Sequence, residues 1–293
     1  MTGLRSLLFI PGDSDKKLAK GDGCGADALI LDIEDSVAPA QKPVARQMVQ
    51  AHLLARPGPR AMQLWVRINP LDEGGLEDLA AVVRGAPDGI MLPKIDGPAD
   101  VARLSAMLDA LEARDAIATP IKILPVATET ARAPFALGGF AGAGLARLAG
   151  LTWGAEDLSA AIGASTNKGA DGGWGFTYRM VRSLCLLAAK AAGVQAIETL
   201  YADFRDAEGL RADCAAAAQE GFAGRVAIHP AQVAIINAAF LPSEADVAFA
   251  RRVVAAFASD TGTVGLDGRM LDIPHLKQAQ HVLALHAAHG GQS

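Results

Sequence analysis

Two acidic positions in the sequence each follow a run of apolar residues. Residues 121–128 lead to Glu129, and residues 148–155 lead to Glu156 and Asp157. Apolar runs of this length, bounded by Gly and Pro, are typical of strands buried on both faces. A carboxylate at the end of such a strand needs a cationic partner. Glu129 and Asp157 offer hard oxygen ligands for one divalent cation, Mg²⁺ or alternatively Mn²⁺, whereas structural ion pairing at the rim of a sheet is the other interpretation.

A third chemical group, the guanidinium of Arg67, follows the apolar residues 64–66. A fixed guanidinium beside a metal is suited to stabilising an enolate or carboxylate oxygen. A salt bridge to Asp32, Glu34 or Asp35 is the alternative interpretation. Zinc is disfavoured because no His or Cys cluster has ligand spacing.

A small basic group, Lys16, Lys17 and Lys20, lies near the start of the chain. In an acidic protein such a group is a candidate phosphate contact, and a solvated helix face is the commoner explanation.

The elements that must position these residues alternate along the chain. Helical patterns separate short apolar runs, which predicts a parallel sheet. Eight such units in about 240 residues favour an α/β fold of the (β/α)₈ TIM-barrel type over an open doubly wound sheet, and no Gly-x-Gly-x-x-Gly follows the first strand. The predicted strands are residues 6–10, 28–33, 63–68, 89–92, 121–127, 148–153, 196–201 and 225–228, and the clearest predicted helices are residues 43–55, 76–83, 98–113, 176–192, 207–220 and 231–239.

The barrel prediction implies where the chemistry lies. In a TIM barrel the catalytic residues follow the carboxyl ends of the strands. Polar residues stand at nearly every such end in this sequence, including Arg67, Lys94, Glu129, Asp157 and His229. One charged rim is therefore expected.

The chain continues past the eighth predicted strand. Residues 1–240 are predicted to form the barrel domain, and residues 241–293 a C-terminal helical extension with helices at 243–258 and 276–288. The extension either covers a barrel mouth or packs on a neighbouring subunit. The Gly-rich segment 163–175 follows the carboxylates of strand 6, and its composition fits either a lid or a surface insertion.

Composition excludes several classes of function. The formal net charge is −5 and the pI is about 5.7, which argues against nucleic acid as the main partner. Three cysteines without a framework indicate a reducing compartment. No signal-peptide pattern and no apolar run near the roughly 20 residues of a membrane span are found. A cytoplasmic protein without a membrane partner is expected.

Several motifs together carry a resemblance to a known family. Residues 5–12 read Arg-Ser-Leu-Leu-Phe-Ile-Pro-Gly, and residues 31–39 read Leu-Asp-Ile-Glu-Asp-Ser-Val-Ala-Pro. Matching motifs continue to the tail, and with them the sequence resembles the citrate lyase β-subunit-like family of the HpcH/HpaI aldolase superfamily, which includes malyl-CoA and citramalyl-CoA lyases. The further motifs are residues 66–69, 92–94, 129–130, 154–158, 203–206, 228–232 and 268–274.

The resemblance implies a Mg²⁺-dependent barrel enzyme that acts on small-molecule CoA thioesters. Glu129 and Asp157 would ligate Mg²⁺, and the backbone at Glu156 and Asp157 would help hold the carboxylate of the acyl group. Arg67 would polarise the thioester carbonyl.

The resemblance also implies residues outside the metal site. Phe9, Lys20, Ile228 and His229 match positions that contact the CoA part of the substrate. Asp272 matches an acid/base that the family supplies from a neighbouring subunit, so a homo-oligomer, a trimer or hexamer with shared active sites, is expected.

The implied reaction is cleavage of a 3-hydroxyacyl-CoA of the malyl-, methylmalyl- or citramalyl-CoA type into a 2-oxoacid and an acyl-CoA through a thioester enolate. Three alternatives remain open. The same site would serve a (3S)-malyl-CoA thioesterase; the chain could be a citrate lyase β subunit that acts on an acyl-carrier thioester; or it could be a non-catalytic paralogue.

Overall fold

Eight parallel strands, each followed by helical structure, form the body of the molecule. A computed structural model of the protein describes residues 3–258 and 262–290, with only the backbone described at 289 and 290. The strands are β1 Ser6–Pro11, β2 Ala28–Asp32, β3 Gln63–Arg67, β4 Gly89–Leu92, β5 Lys122–Pro125, β6 Gly150–Thr152, β7 Gln195–Glu198 and β8 Gly224–Ala227. The α-helices are α1 Asp15–Gly21, α2 Lys42–Leu54, α3 Leu76–Val82, α4 Pro98–Asp115, α5 Ala133–Ala136, α6 Ala155–Ala161, α7 Phe176–Ala191, α8 Ala207–Glu220, α9 Pro230–Ala239, α10 Glu244–Phe257 and α11 Ile273–Gly290, and short helical turns lie at Pro39–Gln41, Leu71–Gly75, Val83–Gly85 and Leu137–Phe140.

The sheet closes on itself. Hydrogen-bonded neighbours follow the order β5-β4-β3-β2-β1-β8-β7-β6, which leaves β5 and β6 at the two ends. These two strands meet through the isolated parallel bridges Ile123↔Leu148 and Val126↔Thr152. The Ala127 N–H also donates to the Thr152 carbonyl at 2.7 Å. The predicted (β/α)₈ barrel is confirmed, with all eight predicted strands present.

Side chains alternate between two apolar cores, as the pleat of a strand requires. On β2, Ala28 and Ile30 belong to the core inside the barrel, whereas Leu29 and Leu31 belong to the larger core between strands and helices. Because both faces of each strand are buried, the strands read as continuous apolar runs. This explains why the sequence pattern located them correctly.

The C-terminal extension contains a hairpin that was not predicted. Strands β9 Val264–Leu266 and β10 Arg269–Leu271 pair antiparallel around Asp267 and Gly268, whose φ angles are 53° and 73°. Asp-Gly with two positive φ angles is the favoured two-residue hairpin turn. Strands of three residues are too short for the apolar alternation to be visible in the sequence.

Helices α10 and α11 pack together over a small core of their own, formed by Ala250, Val253, Phe257, Leu271 and Ala279. Helix α10 matches the prediction, and the Ser243 hydroxyl caps it by accepting from the Asp246 N–H at 3.1 Å. Helix α11 begins three residues before the predicted start. Pro274 lies in its first turn, where no intrahelical hydrogen bond is lost. The division of the chain at residue 240 remains a prediction.

One stretch, Pro230–Phe257, is long and apolar enough to span a membrane by length and composition. It consists of α9 and α10, joined by residues 240–243. A single stretch of this kind is weak evidence for a membrane, and the expected absence of a membrane partner stays a prediction.

Candidate active site

Glu129 lies just beyond the carboxyl end of β5 and is buried, with 6% of its surface exposed. Its Oε2 accepts a hydrogen bond from the Lys94 N–H at 2.7 Å. Gly154 lies against the side chain so closely that a Cβ there would be 2.8 Å from Glu129 Cγ. Burial, and then the charge of Asp157, raise the pKa of Glu129 to about 8. A carboxyl group in this position favours a proton or a cation over free ionisation.

Asp157 lies in the first turn of α6, after β6, with its side chain about one-third exposed. Glu129 and Asp157 line the same cavity, which has a volume of about 400 Å³. The structure therefore brings together the two carboxylates that the sequence singled out, on neighbouring strands. Their role as ligands of a cation stays a prediction. Residues 70–73, Lys94, Asp100, Arg103 and Thr130 contribute to the rest of the lining.

Arg67 ends β3 and is held in a fixed orientation. Its Nε and Nη2 each donate to the carboxylate of buried Asp32 at 2.7 Å, and its Nη1 lies 3.1 Å from Glu34 Oε2. The guanidinium carbon lies 4.6 Å from the ring centroid of Phe9. The salt-bridge interpretation of Arg67 is therefore observed. Two of the five N–H groups of the guanidinium are therefore hydrogen-bonded, both to Asp32, and Nη1 lies beside Glu34 without a hydrogen bond to its Oε2.

Burial and charge oppose each other in this pair. Burial alone would raise the pKa of Asp32, but hydrogen bonding and charge from Arg67 outweigh it and lower that pKa. Burial would lower the pKa of Arg67, and the hydrogen bond and charge of Asp32, with Glu34 and Asp35, raise it instead. Both groups are therefore ionised at neutral pH.

Lys94 contacts both Glu129 and the acidic residues that follow β2. It follows β4, its N–H binds Glu129, and its Nζ donates to Glu34 and, at 3.2 Å, to Asp35. The same Nζ lies 3.5 Å from Asp157. Burial lowers the pKa of Lys94, but Glu34 and Asp157 more than offset it, so the ammonium stays charged. In the sequence Lys94 stands at the end of the fourth strand and in the family motif of residues 92–94, but neither signal assigned it a role.

The site has a strong excess of negative charge. If every group is counted as ionised, five carboxylates (Asp32, Glu34, Asp35, Glu129 and Asp157) face two cations, Arg67 and Lys94, which gives a formal charge of −3; a proton or a cation at Glu129, whose pKa is raised, reduces that excess. Within residues 3–258 and 262–290 no cluster of three or more His, Cys, Asp or Glu has metal-binding geometry. Two carboxylates on an open cavity nevertheless suit Mg²⁺, which keeps several waters and binds few protein ligands. The donor set therefore fits this cation.

Glu156 points away from the cavity toward the segment 163–175. Its exposed carboxylate accepts from the Asn167 side chain at 2.9 Å. Within the segment, Lys168 and Trp174 form a bridge, and the Lys168 ammonium lies 3.3 Å from the centroid of the Trp174 ring. Trp174 also packs edge-on against buried Trp153, with ring centroids 5.2 Å apart. The segment is thus attached to the end of β6, and neither the lid nor the insertion interpretation is decided.

Three residues predicted to contact CoA lie on the surface. Lys20 is exposed in the last turn of α1, and Lys16 and Lys17 are exposed near the start of the same helix. Ile228 and His229 follow β8 and are exposed, and the His229 ring stacks on Phe204 at 4.7 Å. Their role remains a prediction.

Asp272 lies between β10 and α11, with its side chain 52% exposed. Its Oδ1 is 2.5 Å from His275 Nδ1. Among the described contacts none joins Asp272 to the cavity of Glu129 and Asp157. Its predicted part in the site therefore depends on a second copy of the chain.

The chain is similar in sequence to several known proteins. A family model described as HpcH/HpaI aldolase/citrate lyase matches residues 5–230. The chain is 38% identical over 280 residues to a citrate lyase subunit beta-like protein of Mycobacterium tuberculosis, covering 94% of this chain and 93% of that protein. It is 34% identical over 285 residues to a (3S)-malyl-CoA thioesterase of Cereibacter sphaeroides, covering 96% and 93%.

A solved structure shares the whole architecture. The crystal structure of the CitE protein from Mycobacterium tuberculosis in complex with magnesium, acetoacetate and coenzyme A superposes with a TM-score of 0.77 at 35% sequence identity. The match covers 97% of this chain and 98% of that one.

Proposed function

Because the chain belongs to the HpcH/HpaI aldolase/citrate lyase family, we propose that it is a Mg²⁺-dependent lyase of CoA thioesters. Its substrate would be a 3-hydroxyacyl-CoA of the malyl-, methylmalyl- or citramalyl-CoA type, and its products a 2-oxoacid and an acyl-CoA. One related structure contains magnesium with coenzyme A and another contains magnesium with acetoacetate, which supports the choice of cation and thioester.

One observation carries the proposal. Glu129 and Asp157 share a cavity in the cluster of five carboxylates and two cations, whose formal charge is −3. A divalent cation there would reduce the excess to about −1. Bound Mg²⁺ would act as a Lewis acid on the oxygens of the chelated acyl group. The proposed ligands are Glu129 and Asp157.

The residues of the chain supply positioning and charge. Arg67 cannot rotate freely because Asp32 holds it by two hydrogen bonds, so its remaining N–H groups keep one direction. An oriented guanidinium stabilises the negative charge that develops on the thioester oxygen. The backbone N–H groups of Glu156 and Asp157, in the first turn of α6, suit a substrate carboxylate.

The proton needs a separate carrier. In the lyase reaction the hydroxyl proton passes to a carboxylate, the O–H electron pair forms the carbonyl of the 2-oxoacid, and the C–C pair passes to the thioester enolate. Protonation of the enolate carbon then gives the acyl-CoA. We assign the carboxylate to Asp272 of a second copy in a homo-oligomer. Phe9, Lys20, Ile228 and His229 are the proposed contacts of the CoA part.

A second function is favoured by one of the relatives. The (3S)-malyl-CoA thioesterase is 34% identical across 96% of this chain. In that reaction water attacks the thioester carbonyl, and Arg67 would stabilise the oxyanion in place of the enolate. The same residues would serve both reactions.

Product analysis separates the two functions. Purified protein with Mg²⁺ is incubated with malyl-, methylmalyl- and citramalyl-CoA, and the products are quantified by chromatography. A lyase releases 2-oxoacid and acyl-CoA in equal amounts, with no free CoA. A thioesterase releases free CoA and the hydroxyacid. If none of the three esters is cleaved by either route, the proposed function is wrong.

The metal assignment is tested with matched variants. Asp157→Asn keeps the shape of the side chain and removes its charge, so Mg²⁺-dependent turnover should fall at least about 100-fold. Glu208→Gln makes the same kind of change in an exposed surface pair with Arg211 and should change turnover less than about twofold. Wild-type turnover in Asp157→Asn would contradict the assignment.

A further inference from the structure

We propose that Lys94 is a positioning residue that confines the divalent cation to Glu129 and Asp157 by keeping Glu34 and Asp35 neutralised. The inference rests on the proposed function, because it concerns the same cation. It goes further because it gives a role to Lys94, which is not a proposed ligand. It also explains why a cluster of five carboxylates would bind the cation at one position.

The side chain of Lys94 reaches carboxylates from two parts of the barrel rim. Glu34 and Asp35 follow β2, and Asp157 follows β6. The Lys94 Nζ donates to Glu34, which is 2% exposed, and to Asp35 at 3.2 Å, and it lies 3.5 Å from Asp157. The ammonium therefore lies between the proposed ligand Asp157 and the two acids that would compete for a cation.

The backbone of Lys94 adds a second, independent constraint. Its φ is +52°, in the left-handed region that side-chain-bearing residues rarely adopt. In this conformation the N–H donates to Glu129 Oε2 at 2.7 Å while the side chain reaches Glu34 and Asp35. A strained conformation is retained when the surrounding structure requires it, and such positions cluster at functional sites. The backbone N–H of Lys94 thus orients the proposed ligand Glu129. Its ammonium group separates the other proposed ligand, Asp157, from Glu34 and Asp35.

Removal of the ammonium should have opposite effects on binding and on turnover. Without the positive charge of Lys94 the acids attract cations more strongly, and Glu34 with Asp35, left with Arg67 as their one neighbouring cation among the described residues, becomes a competing position. Lys94→Met keeps a Cβ and a chain of similar length, so it changes the charge and leaves the backbone strain. We expect it to bind more than one Mn²⁺ per chain, with the first bound at least about threefold more tightly than in the wild type. Turnover at saturating metal should nevertheless fall, with kcat affected more than KM.

The experiment measures Mn²⁺ stoichiometry and affinity in the full-length protein by electron paramagnetic resonance and calorimetry, without substrate. The wild type should bind one Mn²⁺ per chain. Lys94→Arg keeps the charge and should retain this stoichiometry. Lys122→Met is the matched control, because Lys122 begins β5 and so lies at the opposite end of that strand from Glu129.

The outcomes are distinct. One Mn²⁺ per chain in Lys94→Met, at wild-type affinity or weaker, overturns the inference and leaves the proposed function standing. No Mn²⁺ binding by the folded wild type overturns both. If circular dichroism shows that Lys94→Met does not fold, Lys94→Gln replaces it, since its amide still donates to Glu34 without a charge, and the same expectations apply.

Discussion

At the scale of single residues, the buried carboxyl group of Glu129 lowers the stability of the folded protein when it is ionised. Glu129 is buried, and its pKa is raised to about 8 from an ordinary value of 4.5. The folded state therefore binds a proton more tightly than the unfolded state does. Between pH 4.5 and 8 the carboxyl is increasingly ionised in the unfolded chain, and folding opposes that ionisation, so stability from this group falls as pH rises.

Glu129→Gln should consequently stabilise the metal-free protein. Glutamine can still accept from the Lys94 N–H and has no charge to bury. We expect its free energy of unfolding to exceed that of the wild type by about 2 kcal/mol at pH 8, and by much less at pH 5. Urea unfolding in EDTA at several pH values measures the difference. Parallel pH profiles for the two proteins would falsify this account of Glu129.

The prediction of individual site residues from sequence depended on strand ends. Glu129, Asp157 and Arg67 were selected as candidates because each follows an apolar run that is typical of a buried strand. The role now proposed for Lys94 was not predicted, since it depends on a positive φ angle and on side chains that follow β2 and β6. For Arg67 the sequence left two interpretations, and the observed bond to Asp32 is compatible with the proposed catalytic role.

At the scale of elements, the strands were predictable and the irregular segments were less so. All eight barrel strands are buried on both faces, and most have largely apolar sequences, whereas β7 and β8 carry the buried charged residues Glu198 and Arg225. The hairpin β9–β10 was missed because it is short and exposed. The segment 163–175 was predicted to follow the strand 6 acids, but its attachment through Trp174 could not be foreseen, because composition does not show which aromatic rings meet.

Trp174 provides a test of that attachment. It packs on Trp153, which immediately precedes Gly154 and the acids of α6. Trp174→Ala should loosen the end of β6, with kcat/KM falling about tenfold and the affinity for Mn²⁺ decreasing, while Trp174→Phe restores most of the activity. Phe135→Ala, at an aromatic residue that is 93% exposed, is the control. If Trp174→Ala lowers only the melting temperature, the attachment is structural and has no effect on the site.

At the scale of the whole molecule, the resemblance to the citrate lyase β-like family and the barrel fold are confirmed. The oligomer is still a proposal, and the surface around Asp272 supports it. Met270 is 78% exposed and Ile273 is 38% exposed, so apolar side chains flank the proposed acid/base. Exposed apolar groups beside a functional carboxylate are typical of a surface that a partner covers.

Mixing two inactive proteins tests the shared site. Asp272→Asn supplies an intact barrel, and Asp157→Ala supplies an intact tail. Arg67→Ala is a poor choice for the second protein, because it would leave buried Asp32 without its cation and destabilise the fold by about 3–5 kcal/mol. In randomly mixed oligomers about a quarter of the sites contain both intact parts, so about that fraction of wild-type activity should return. Verified mixed oligomers without activity would argue that each chain forms its site alone.

The way the barrel closes implies that the proposed cation would also hold two strands together. Strands β5 and β6 stand at the two ends of the hydrogen-bonded order and are joined by isolated bridges, so their junction is the seam of the cylinder. Glu129 and Asp157 follow these two strands. A cation bound by both carboxylates would therefore link β5 to β6 across the seam. If this junction opened, Glu129 and Asp157 would move apart and the proposed cation would be released. The proposed catalysis would then be lost while the other seven strand pairings were still intact.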